Sequence, residues 1–144
     1  MEDETAESYV LDRFDPIMNE MRKKKVLLDF ALVNENGDEV WGHMPLMALM
    51  SDVILDTAMF KRENRLLLKN INAESLEHVV NYMYTAEVDL TRDNVYMILG
   101  AATHLELEHL QSLCWDFLAN NSNRNEEDII RCDIILTAWS IVEV

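Results

Sequence analysis

Glycine, proline and cysteine are scarce in this chain of 144 residues, with three, two and two copies. So few turn formers argue against a many-stranded sandwich and favour helices joined by short connections. Cys114 and Cys132 allow one disulfide at most, which is no framework for a fold. Cys114 falls in an apolar helical stripe and reads as a small core hydrophobe, so reduced thiols and a cytoplasmic or nuclear location are expected. Positive charge is also in short supply: 12 Lys and Arg stand against 27 Asp and Glu, a formal net charge of −15. A surface of that sign repels a polyanion, which excludes nucleic acid as the partner. The basic run Arg22-Lys23-Lys24-Lys25 closes a predicted helix, where cations complement the dipole. No apolar run approaches the roughly 18 residues of a membrane span. Residues 1–8 are acidic and polar, unlike a secretory leader, and are expected to be a disordered tail.

Reactive constellations are missing as well. His104 and His109 are five apart and would point to different faces of one helix, while His43 and His78 lie in separate elements. There is no Cys-x-x-Cys, no His-Glu-x-x-His and no glycine-rich phosphate loop, since Gly37, Gly42 and Gly100 are scattered. No metal, cofactor or catalytic residue is expected, and the chain does not read as an enzyme. His43 reads as a hydrogen-bonded structural histidine at a strand-to-helix junction. Tyr82 and Tyr84 read as packing residues with their hydroxyls at the rim.

What is present is packing pattern. Phe14, Ile17, Met18 and Met21 recur at helical spacing on an otherwise charged segment, a thin stripe that needs a partner surface. Leu27 to Val33 reads as a strand, Asn36-Gly37 as a tight primed turn and Val40 to Gly42 as the returning strand. A helix follows with Pro45 in its first position and Leu46, Leu49, Met50, Val53 and Thr57 at helical spacing. Met50 is assigned to the core, with Met44 and Met47 as candidates for an adaptable groove. Leu66 to Lys69 reads as a third strand. Asn72 caps the next helix, with Ile71 and Leu76 placed to form a hydrophobic staple and Leu76, Val79, Val80 and Met83 inside. Thr91 caps another, with Val95, Ile98, Leu99 and Ala102 inside, and Leu107, Leu110, Cys114, Phe117 and Leu118 form the stripe of the next. Asn125 can cap a last helix, whose first turn carries Glu126, Glu127 and Asp128. The sum is an α+β domain, mostly helical with a small sheet.

The stretch Tyr82-Met83-Tyr84-Thr85-Ala86-Glu87-Val88-Asp89-Leu90, continued by Asn94-Val95, Ala101-Ala102, Leu105-Glu106-Leu107, Cys114 and Phe117-Leu118, resembles the second half of a BTB/POZ domain. Asp29-Phe30-Ala31-Leu32 resembles the family's Asp-Val-x-Leu strand, and His43 matches the His that opens the helix after the hairpin. Met18-Asn19-Glu20-Met21-Arg22 resembles the Leu-Asn-x-Leu-Arg helix that precedes the domain in Kelch-like proteins. The resemblance implies a BTB/POZ fold over residues 9–120 with an N-terminal dimerisation helix, and the start of a BACK-like extension over 121–144. No Kelch, MATH or zinc-finger module lies within these residues.

The resemblance further implies a homodimer, or pairing with related BTB proteins, through Phe14, Ile17, Met18, Met21 and Asp29. It implies a cullin-3 contact, in the ubiquitin-ligase members, at Phe60, Glu63, Tyr84 and Asn120. Three departures stand out. Met44 replaces the usual cation after the His, so Asp29 must find backbone donors or water. Phe60-Lys61-Arg62-Glu63 places the acid of the hydrophobic-x-acid motif one position late, in a segment shorter than in cullin-binding members. Ala86 replaces the usual Gly and asks for a turn without positive φ. Two readings stand: a dimeric cullin-3 adaptor, or a BTB oligomerisation or transcriptional scaffold module without cullin binding.

Overall fold

The computed structural model describes residues 16–120. Phe14, the acidic tail, Cys132 and the BACK-like extension lie outside them. The chain is helical over residues 16–23 (α1), then runs through β1 (Phe30–Val33), β2 (Glu39–Gly42), α2 (Met44–Met50), α3 (Asp52–Met59) and β3 (Arg65–Leu67). Three helices follow: α4 (Ala73–Thr85), α5 (Val95–His104) and α6 (Glu108–Asn120).

The sheet has the order β2-β1-β3, with β1 antiparallel to β2 and parallel to β3. A parallel pair needs a long crossover, and α2 and α3 supply it. Phe30, Ala31 and Leu32 are all buried, so the central strand does not alternate. Phe30 and Leu32 enter the helical core. Ala31, on the opposite face, pairs with Trp41 on one side and Arg65 on the other. The Arg65 guanidinium reaches across it to lie 5.4 Å from the Trp41 ring centroid. Arg65 also pairs with Glu39 at 3.0 Å, whose other carboxylate oxygen accepts from Trp41 Nε1 at 3.1 Å. A small residue beneath two long ones is thereby sealed from water.

The hairpin turn is not the tight primed turn that Asn-Gly predicts. Asn34 O accepts from Gly37 N, and only Gly37 has positive φ (88°); Glu35 and Asn36 do not. The Asn34 side chain decides this, because its Oδ1 accepts from both Asn36 N and Asp38 N and holds a longer loop.

The single helix predicted from Pro45 to Thr57 is two helices. Ser51 is extended (φ −135°, ψ 118°), ends α2 and caps α3, its Oγ accepting from Ile54 N. Ser51 Oγ also donates to Leu105 O at 2.8 Å, which ties the break to the end of α5. The break resets the helical phase. Met47 is fully buried, whereas Leu49 is 79% exposed and Met50 faces outward as well. The expected roles of Met47 and Met50 are thus exchanged.

The rest of the helical core follows the sequence pattern. Asn72 Oδ1 accepts from Ser75 N at 2.8 Å, and Ile71, Leu76, Val79, Val80 and Met83 are buried. Thr91 and Asn94 cap each other reciprocally, Thr91 N donating to Asn94 Oδ1 and Asn94 N to Thr91 Oγ1. Val95, Ile98, Leu99 and Ala102 then face inward, against Leu110, Cys114 and Leu118 of α6. His104 and His109 fall on different helices, because the chain turns at Leu105 and Glu106.

Candidate protein-interaction surfaces

A buried polar cluster sets the positions of the surfaces. His43 lies between β2 and α2 with both ring nitrogens engaged. Its Nε2 is 2.8 Å from Val26 O and its Nδ1 is 2.6 Å from the Tyr84 hydroxyl. A carbonyl only accepts, so Nε2 carries the proton and Nδ1 accepts from Tyr84 O–H. The same hydroxyl accepts from the His43 backbone N–H at 2.6 Å. Burial pushes the Tyr84 phenol above its ordinary pKa, and the His43 hydrogen bond and the Arg22 charge offset part of that rise. A side chain on Gly42 would meet this cluster, since a Cβ there would lie 2.7 Å from Met47 Sδ and 3.1 Å from the Tyr84 oxygen. His43 is therefore the structural histidine that its place in the sequence suggests.

Arg22 joins α1 to the same cluster. Its guanidinium sits 5.0 Å from the Tyr84 ring centroid and donates to Asn19, Asn81 and Glu77. Bonded on so many sides, this charge anchors the end of α1 to α4. The link from α1 to β1 is less relaxed. Lys25 and Leu27 both adopt φ of 58°, which side chains disfavour. Leu27 is left 77% exposed, next to a partly exposed Val26.

The residues assigned to the dimer surface fall out as follows. Ile17 is 47% exposed, Met18 packs against the core of its own domain and Met21 is half-buried. Asp29 is exposed, and its Oδ1 accepts from Met44 N at 2.7 Å. It thus caps α2 in place of His43, whose side chain is committed elsewhere. The missing cation at Met44 is answered by a backbone donor and by the exposure of the carboxylate.

Of the residues assigned to the cullin contact, Phe60 is 78% exposed at the end of α3, beside an exposed Met59. Glu63 is exposed in the turn before β3, and Asn120 is exposed at the end of α6. Tyr84 does not belong with them. It is 5% exposed with its hydroxyl pointed into the His43 cluster, so it offers no contact surface. The Tyr84 hydroxyl is thus not at a rim, whereas Tyr82, with its ring buried, brings its oxygen out to the exposed His109, 2.6 Å from Nδ1. Ala86, against expectation, keeps the left-handed conformation (φ 61°, ψ 16°) that ends α4, its N–H donating to Tyr82 O at 2.7 Å.

Sequence reasoning missed Val26, Leu27 and the Arg65–Trp41–Glu39 cluster. The last had a signal, since Trp41 and Arg65 lie in strands flanking the same alanine. Among the described residues no His, Cys, Asp or Glu group is arranged to hold a metal ion, and no helix is long and apolar enough to cross a membrane.

These features, a small mixed sheet on a helical core with a leading helix anchored by a buried arginine, define a protein-interaction fold. The family model of the BTB/POZ domain matches residues 18–122, and the chain belongs to that family. It is 33% identical to mouse Kelch-like protein 3 and 32% identical to human Kelch-like protein 2, each over 108 residues. Those alignments cover 71% of this chain and 18% of the relatives, so the chain spans under a fifth of the proteins it matches. The solved BTB domain of zebrafish PATZ1 superposes with a TM-score of 0.66 over 84% of this chain and all of that one, at 14% identity. A BTB domain is a protein-interaction module, and that is the class of this chain.

Proposed function

We propose that this chain is a homodimeric BTB adaptor that binds cullin-3 in a ubiquitin ligase, acting in the cytoplasm or nucleus. The observation that carries the reading is the exposed apolar pair Met59 and Phe60. An exposed Phe beside an exposed Met fits a partner groove better than it fits water. Ile17, in the anchored helix, and Leu27, in the link that follows it, supply the apolar area for self-association. Residues 121–144 are assigned to the start of a BACK-like extension on their sequence. The late acid at Glu63 and the short link before β3 favour a second reading, a BTB oligomerisation or transcriptional scaffold without cullin binding.

The test is titration of the full chain with the N-terminal region of cullin-3, together with sedimentation. The adaptor is expected to sediment as a dimer, to bind, and to lose at least about tenfold in affinity on Phe60→Asp, the size of an exposed hot spot. A dimer that does not bind selects the scaffold reading. Ile17→Asp with Leu27→Asp is expected to give a monomer, and an unchanged dimer mass would sink the assignment of that face.

A further inference from the structure

The edge of β2 is open, and its charge is unlike the rest of the protein. In the hairpin Asn34 N donates to Asp38 O, which makes 34 and 38 a hydrogen-bonded pair. Bonded and non-bonded pairs alternate along an antiparallel ladder. Leu32 with Val40 and Phe30 with Gly42 are then bonded, while Val33 with Glu39 and Ala31 with Trp41 are not. The backbone N–H and C=O of Glu39 and Trp41 therefore point away from β1. Since β2 is the outermost strand, they point out of the sheet, and no described residue outside the sheet bonds them.

A cavity of about 470 Å³ lies against this edge, between β2 and the end of α1. Its two acids are already answered. Glu77 pairs with Arg22, and Glu39 is held by Arg65 and the Trp41 indole. Its two lysines, Lys23 and Lys25, are exposed and form no close ion pair among the described residues; Glu20, already paired with Lys24, acts on Lys23 only at longer range. The uncompensated charge of the cavity is thus positive, on a chain of net charge −15.

We propose that this edge docks an extended, acidic peptide segment of a partner protein, added to the sheet as a strand beside β2. Backbone bonds to Glu39 and Trp41 supply the affinity, and acidic side chains facing Lys23 and Lys25 supply the choice of partner. A second copy of this chain is a poorer occupant, because pairing two such edges brings the lysines of both together. The site is separate from the Phe60 surface and does not depend on cullin binding.

The experiment is fluorescence anisotropy on the full chain with a labelled heptapeptide alternating glutamate and valine. The probe is expected to bind, a lysine–valine analogue is not, and K23E with K25E is expected to weaken the probe about tenfold. Methylating alternate backbone nitrogens of the probe is expected to abolish binding to the unaltered chain, because the ladder loses its donors. Phe60→Asp is expected to change nothing. Equal affinity for the charge-reversed variant, or for the methylated probe, would overturn the proposal. So would concentration-dependent growth beyond a dimer that K23E with K25E reverses, which assigns the edge to a second copy. A probe that binds only after removal of residues 1–8 would overturn it too, giving the edge to the chain's own acidic segment.

Discussion

Replacing Tyr84 by Phe deletes one oxygen from a buried ring and leaves the ring in place under the Arg22 guanidinium. That oxygen is 2.6 Å from both the backbone N and the Nδ1 of His43, and both residues are buried. Its removal strands a donor and an acceptor where water does not readily follow. One buried polar group left unsatisfied costs about 1–3 kcal/mol, and the cavity left by a single oxygen adds little. The two groups together give an expected loss of about 2–6 kcal/mol. The assay is urea unfolding followed by circular dichroism at one fixed chain concentration, because the stability of a self-associating chain depends on concentration. The midpoint should fall with the slope unchanged. A loss below about 0.5 kcal/mol, the range of an ordinary surface change, would refute the reasoning. The pH dependence gives a second check. Burial raises the Tyr84 phenol, so the folded state holds that proton more tightly than the unfolded chain. The contribution is complete below the ordinary phenol pKa of about 10 and is lost as pH rises through the elevated folded value. Tyr82 is raised for the same reason. Stability should therefore fall above about pH 10, and less steeply in Tyr84→Phe than in the unaltered chain.

Ala86→Gly should stabilise the domain by about 1 kcal/mol in the same assay, since Ala in the left-handed region is strained and Gly is not; a destabilised variant would contradict the observed cap. Met47→Ala should lose about 2–5 kcal/mol and Leu49→Ala under about 0.5, because Met47 is fully buried and Leu49 faces solvent. The opposite order would mean that α2 is rotated.

The helices α4 and α5 were legible because nothing interrupts their phase. Asn72 announces the start of α4, and each apolar residue then falls where a 3.6-residue period puts it; Thr91 marks only the turn before α5, whose cap position is Asn94. The segment from Pro45 to Thr57 was misread because its apolar residues satisfy one continuous helix almost as well as two broken ones. The signal was there in Ser51-Asp52, a capping residue followed by an acid in the first turn, as the structure bears out. Its second role, donating to Leu105 O, joins residues 54 positions apart and has no trace in local pattern. Ala86 fails for a related reason. Propensity argues against a left-handed alanine, and the closed contact from its N–H to Tyr82 O wins.

The interaction surfaces were less legible than the core, and the reason is physical. A core residue is constrained by several neighbours at once, so a change of one methylene is felt and the pattern records the constraint. An exposed residue such as Phe60 or Ile17 is constrained by a partner that the sequence does not contain. Tyr84 shows the trap in the opposite direction. As a polar aromatic near the end of a helix it suits an interface, yet its hydroxyl is consumed holding His43 and, through His43, the carbonyl of Val26. That bond fixes the strained link where Lys25 and Leu27 turn and so decides where α1, with Ile17 and the lysines beyond it, meets a partner. If so, Tyr84→Phe should loosen that link as well as the core. Amide exchange at Val26 and Leu27 should then speed up by more than at Leu99 in α5. A uniform increase would mean that the cluster stabilises the domain without directing its leading helix.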